Sequence, residues 1–358
     1  MKNILRILIA LIFIASGFVK AIDVVGFSFK LEEYFSPAVF NLSFLESISL
    51  PIAIVVVVLE LVLGFMLLLK IKVKQVLALM IALCIFFAFL TFYSAYFNKV
   101  TDCGCFGDAI KFTPWQSFIK DIVLLFGLIL LWFGYKSEAY KKSNTFQKSL
   151  LGLGVLATAF IVLWGIVNEP LIDFRDYKIG TDMKVERQNL LKNPSEYKTF
   201  YVLKNKNTNE EKEVNQDDYV NDASLWSEGS PWEILSDKTT SKMVKQGYKT
   251  EIAKFYVEDE NGNDITSDII NAPKAILLYS YKPEKADKEI IAKVESKLKG
   301  EKNALIYGIS PAIGTFKQLK NAKMDATASK TIARSNPYIL ILQNGKIIDK
   351  MPAKNYLN

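Results

Sequence analysis

The chain has 358 residues, is 51% hydrophobic and carries a formal net charge of +7, with a positive mean hydropathy. It is too apolar for an ordinary soluble protein of its size. Its lysines are scattered rather than gathered along one stripe, so no nucleic-acid partner is expected.

Five apolar runs approach the roughly 20 residues that a helix needs to cross about 30 Å of hydrocarbon. They are Ile4 to Val19 with its flanks, Pro51 to Leu69, Val76 to Phe97, Trp115 to Tyr135 and Leu150 to Val167. The start MKNILRILIALIFIASG also has the basic, apolar and small-residue order of a signal peptide, and its cleavage would not move the rest of the chain to another side. Short loops carry Lys2 and Arg6, then Lys70, Lys72 and Lys74, then Lys136, Lys141, Lys142 and Lys148. Basic loops stay in the cytoplasm, so residues 21–50, 98–114 and everything after Asn168 are expected on the outer side.

Between the first two runs, IDVVGFSFKLEEYF mixes apolar and charged residues and predicts a short interfacial helix, with Phe27, Phe29, Leu31, Tyr34 and Phe35 toward lipid or the bundle. It reads either as a plain surface anchor or as a lid. In the second run, Glu60 lies about 13 Å along the helix from Pro51. A lone carboxylate near the bilayer centre must be neutral or paired; its candidate partners are Lys20, Lys120 and Asp121. Proton handling, a quinone-like ligand contact and a plain interhelical hydrogen bond all fit such a residue.

The loop TDCGCFGDAI places Cys103 and Cys105 one glycine apart. Zinc wants four ligands, but there is no histidine and the third cysteine, Cys84, lies in the middle of the third run, about 20 Å from its end at Phe97. No metal site is therefore expected, and Cys84 reads as a buried packing residue. A disulfide across so small a ring is strained and easily reduced, which favours exchange over stapling. It also closes too short a loop to stabilise much by chain entropy. Thr113-Pro114 then predicts an N-cap and first helical residue for the fourth span.

Past Asn168-Glu169-Pro170 the composition turns mixed. TFYVL and EIAKFYVED read as strands, KNKNTNEEKEVNQDD as solvated loop, and DENGND as a turn. From Ala272 the pattern sharpens. KAILLYSY is a buried strand, EKADKEIIAKVESKLKG an amphipathic helix, NALIYGIS a strand and IGTFKQLKNAKM a further helix; PYILILQNGKIIDK is a hairpin turning at Asn344-Gly345. This order predicts a mixed sheet with helices against it.

SGFVKAIDVVGFSFKLEEYF, the glutamate in span two, CGCFGD and QSFIKDIVLL together resemble the MauE/DoxX group of redox-associated membrane proteins. The likeness implies a four-helix core over residues 1–140, with roles for Cys103, Cys105, Glu60 and Asp121. It associates the chain with methylamine utilisation and the maturation of a disulfide-rich partner, and it admits quinone as acceptor. Residues 141–170 supply a fifth span and 171–270 accessory strands. Residues 271–358 resemble a thioredoxin-like α/β domain in which Pro337 takes the place of the fold's cis-proline and KPEKADK stands where Cys-x-x-Cys would lie. A domain without cysteine cannot exchange disulfides itself.

The expectation is thus a multi-pass helical bundle in a bacterial inner membrane, followed by a periplasmic thioredoxin-like domain. Its partners would be the lipid bilayer and a periplasmic thiol or disulfide protein, with Cys103 and Cys105 as the exchanging pair. A non-catalytic scaffold with a structural Cys-Gly-Cys bond is the alternative, and a small-solute permease built around Glu60 a third.

Overall fold

The computed structural model describes residues 2–97, 99–100, 106–136 and 143–358. Two compact units emerge, one made of Met1–Thr181 with Tyr256–Asn358 and the other of Asp182–Phe255.

Among the described residues of the first unit, five helices are long and apolar enough to cross a membrane: α1 (Lys2–Ile22), α4 (Ser49–Leu68), α5 (Val73–Phe97), α6 (Pro114–Tyr135) and α7 (Thr145–Val167). Each lies within a few residues of its expected run. Between α1 and α4 come α2 (Val24–Phe35) and the short α3 (Ser43–Glu46). The helices α1, α4, α5 and α6 pack in a ring, with α7 against α1, α4 and α2. Small residues set the approach of α1 and α4: a Cβ on Gly17 would come within 2.8 Å of Leu61, and one on Gly64 within 2.8 Å of Ile14. That is the close-contact device of membrane helices, where apolar burial alone does not draw helices together. Thr113 caps α6 by accepting from Gln116 N, and the Gln116 side chain accepts from Thr113 N.

Helix α2 is more enclosed than a surface anchor. Val24, Val25, Phe27, Leu31, Tyr34 and Phe35 are buried in one cluster with Ala53, Val57 and Leu61 of α4 and Val162 of α7. Phe29, half-buried beside that cluster, meets Tyr281 edge-on at 5.4 Å.

The same unit contains a six-stranded sheet in the order β10-β9-β6-β7-β8-β5. In chain order come β5 (Glu258–Asp259), α10 (Thr266–Asn271), β6 (Lys274–Tyr279), α11 (Lys288–Leu298), β7 (Leu305–Ser310), β8 (Lys320–Lys323), α12 (Ala326–Ile332), β9 (Tyr338–Gln343) and β10 (Lys346–Pro352). Strands β6, β7 and β8 run parallel, whereas β9 is antiparallel to β6 and β10 to β9. Asn344 and Gly345 both have positive φ and join Gln343 to Lys346, as a type I′ turn requires. The Asn336-Pro337 peptide bond is cis.

Three stretches differ from expectation. IGTFKQLKNAKM forms a loop and β8 instead of a helix. The Asn321 side chain accepts from Phe316 N at 3.0 Å and donates to Phe316 O at 3.0 Å, taking backbone groups a helix would use. The Phe316 ring then lies on Gly308, where a Cβ would meet it at 2.3 Å. The helix forms later, at α12, where Asp325 accepts from Ala328 N. EIAKFYVED begins as a 3-10 turn over Glu251–Lys254; Ile252 and Phe255, three apart, are both buried, a helical spacing rather than a strand's. KNKNTNEEKEVNQDD is ordered: it contains β2 and α9, described next.

The second unit holds α8 (Met183–Lys192), β1 (Glu196–Asn205), β2 (Glu211–Asn215), α9 (Gln216–Asn221), β3 (Trp232–Ile234) and β4 (Thr240–Lys245). Strand β1 pairs antiparallel with β2, β3 and β4. Charged cross-strand partners such as Lys245 with Glu196 at 2.6 Å give these strands polar faces, which hide them from a search for apolar alternation.

Candidate functional site

A polar cluster lies inside the helical ring. Ser16 and Lys20 are four apart and share one face of α1; Lys20 Nζ donates to Ser16 Oγ at 3.1 Å and to Glu60 Oε2 at 2.7 Å. Both members of the ion pair are buried, at 2% and 4% exposure. Of the three candidate partners for Glu60, the bundle brings Lys20 to it. Lys120 instead pairs with Asp121, 2.9 Å away. Thr91 donates to the other oxygen of Asp121 at 3.2 Å, and Cys84 Sγ donates to the Asp121 carbonyl at 3.2 Å.

Aromatic rings close around the charges. Lys20 Nζ lies 4.9 Å from the centre of the Phe87 ring and 5.5 Å from that of Phe27, and Lys120 Nζ lies 5.3 Å from that of Phe106. Contacts of this kind help to hold a desolvated ammonium. The two pairs border a cavity with about 20 Å³ open to the centre of a water-sized sphere. That is room for one or two waters, since about 10–15 Å³ suffices for one. Cys84, expected as a packing residue, is buried and lines this cavity, as does Phe106. By helical rise, Asp121, Glu60 and Cys84 lie about 10 to 20 Å from the helix ends nearest Phe106.

Cys103 and Cys105 lie outside the described residues; Phe106 is the next residue in the chain. Among the described residues no group of histidine, cysteine, aspartate or glutamate is placed to hold a metal ion.

A second set of charged residues fastens α2 to α12, the residues just after it and the segment after β6. Arg334 is 4% exposed at its side chain. Its Nε donates to both oxygens of Asp23 at 2.8 Å, and Nη2 donates to Asp108 at 3.1 Å. Gly26 leaves the space, since a Cβ there would come within 2.9 Å of the guanidinium. Burial disfavours charge on Asp23, but Arg334 and Arg175 outweigh it and lower its pKa. Glu32 pairs with Lys282 and, at 2.8 Å, with Lys330. Burial and the nearby Lys330 and Lys285 push the Lys282 ammonium down to about 8. Pro337 sits beside this contact, because Asn336 Nδ2 donates to Lys282 O at 2.6 Å.

Beyond α7, Arg175 pairs with Glu169 and with Asp173 at 2.7 Å, and donates to Ile332 O at 2.8 Å. Lys350, buried, also pairs with Asp173. Burial opposes ionisation of Asp173, but Arg175 and Lys350 outweigh it and hold its carboxyl down at about 2. None of these linkages was predicted. The sequence signals were charges set among apolar residues in IDVVGFSFKLEEYF and the lysines of KPEKADK.

Neither a curated protein nor a solved structure matches the chain. Five candidate spans and a membrane-domain match make it a membrane protein. Its first 134 residues, which carry the polar cluster and the acidic face of α2, match the family model described as methylamine utilisation protein MauE.

Proposed function

We propose that this is a bacterial inner-membrane protein whose Cys103 and Cys105 cycle between dithiol and disulfide at the periplasmic face, serving thiol chemistry on a partner protein. The family model that matches residues 1–134 is described by methylamine utilisation, and the thiol role is our own reading. In one direction of the cycle, a partner dithiol reduces the Cys103–Cys105 disulfide and becomes a disulfide itself. The pair is then reoxidised by a quinone-type acceptor, which takes two electrons and two protons to become the quinol. The reverse direction balances in the same way.

The observation that carries this reading is the place of Phe106. It lines the polar cavity with Lys20, Glu60, Lys120 and Asp121 and directly follows Cys105 in the chain. The periplasmic assignment rests on the basic residues of the other loops. A thioredoxin-like assignment for residues 271–358 draws support from the sheet: parallel β6 and β7 flanked by antiparallel β9 and β10, with α11 as the crossover. Lys282-Pro283-Glu284-Lys285 follows β6 without cysteine, so this domain binds rather than reacts.

A Cys105→Ser variant is expected to accumulate a mixed disulfide between Cys103 and a periplasmic protein, visible as a reducible band on non-reducing gels. No such band, together with normal function of the variant lacking both cysteines, would remove the proposal. A scaffold role is the second reading, favoured by the ion pairs that bind α2 to the C-terminal region. A reduction potential for the cysteine pair well below about −300 mV would favour it, as that marks a structural bond.

A further inference from the structure

We infer that the cavity between α1, α4, α5 and α6 is a hydrated proton-transfer site, with Glu60 and Asp121 as its proton-accepting groups. Its coupling to thiol exchange rests on the redox reading above; its protonation does not.

The argument starts from how the two ion pairs are packed. A buried ion pair is costly unless the remaining lone pairs and protons of both groups find hydrogen-bond partners. Here both pairs face a common cavity of about 20 Å³. A water in a cavity needs two to four polar partners, and this lining offers Ser16, Lys20, Glu60, Lys120 and Asp121. The rest of the wall is largely aliphatic or aromatic, including Ile12, Phe13, Phe87 and Phe106.

Every neighbouring helix of the ring contributes a group that faces the space: Lys20 from α1, Glu60 from α4, Cys84 from α5, and Lys120 with Asp121 from α6. Two carboxylates held by separate lysines give a proton two resting places beside a cavity with room for water. Thr91 fixes the orientation of Asp121 by donating to Oδ2. A proton arriving at Glu60 leaves Lys20 as a cation beside a neutral acid, and its onward transfer through water to Asp121 restores the pair. No bond other than O–H is made or broken, and the net charge of the cluster rises by one while the proton resides there. In the proposed cycle, the two protons lost by a dithiol are those that the quinone-type acceptor gains, so a route from the Phe106 end into the bundle closes the balance.

The full-length protein in lipid nanodiscs, studied by infrared difference spectroscopy across the neutral pH range, tests the protonation. A carboxylic-acid band is expected that shifts with 13C-aspartate or 13C-glutamate labelling and diminishes in Glu60→Gln and Asp121→Asn. Turnover measured as dithiothreitol oxidation by a soluble quinone is expected to fall at least about tenfold in each variant, with a flattened pH profile, and to recover largely in Glu60→Asp. Absence in the wild type of any carboxylic-acid band that shifts on labelling overturns the inference, and that measurement needs no variant to fold. So do variants with wild-type rate and pH profile. If the wild type shows no dithiol turnover, the redox reading fails, while the labelled carboxyl band still decides for or against the proton site.

Discussion

Two of the ion-pair sets in the first unit are built differently. Inside the helical ring, Lys20 with Glu60 and Lys120 with Asp121 border open space. At the contact between α2 and the C-terminal region, Arg334 serves Asp23 and Asp108 together, and Glu32 serves two lysines. Sharing one charge among several partners is what a contact needs if it is to stay shut. Single pairs beside a cavity leave room for their charges to change.

Removing one member of each kind separates the two designs, and the largest effect is expected in the bundle. Glu60→Leu strands the Lys20 ammonium in a desolvated site, with an expected cost of about 3–5 kcal/mol. Lys20→Met combined with Glu60→Leu should recover most of it; thermal unfolding in detergent compares the two, and a double variant no better than the single would contradict the pairing. Arg334→Ala comes next, at about 2–3 kcal/mol, because Asp23 and Asp108 lose their shared cation but keep some solvent. Hydrogen exchange should then rise in both α2 and α12 while α5 and α6 stay protected; a rise confined to α12 would mean that α2 does not depend on the contact.

Acid sharpens the comparison further. Folding holds the Asp173 carboxyl at about 2, below its ordinary range, so it stabilises the fold at neutral pH. That stability should decline as pH falls below about 4 and be gone below 2, a loss of about 2 kcal/mol. Asp173→Asn should lack this part of the acid dependence, measured as the difference between pH-dependent unfolding curves. The smallest effect is expected outside both settings: Thr113→Ala removes the cap of α6 for about 1 kcal/mol, and should leave the infrared carboxyl band in place.

The spans were legible because a bilayer-length apolar run has few other uses. Glu60 was legible for the same reason, as a charge where none is cheap. Its partner was not, since helical rise gives the depth of Lys20 and Lys120 but not which way either faces. The strands of residues 274–279 and 338–343 were legible from their unbroken apolar runs, whereas β2 and β4, dressed in cross-strand charge pairs, were not. Arg334 was the least legible of all, because nothing local in SNPYIL announces that its neighbour Arg334 closes on α2.

Helix α2 also stays unfinished long after its own residues have been made. Its acidic groups wait for partners 250, 298 and 311 positions further along, so synthesis must pass Lys282 before Glu32 gains its first partner across this contact and Arg334 before Asp23 does. The membrane part therefore completes its own contact surface long after its spans are made, and a chain cut short anywhere before Lys282 would carry an acidic face without the Lys282, Lys330 and Arg334 that cover it.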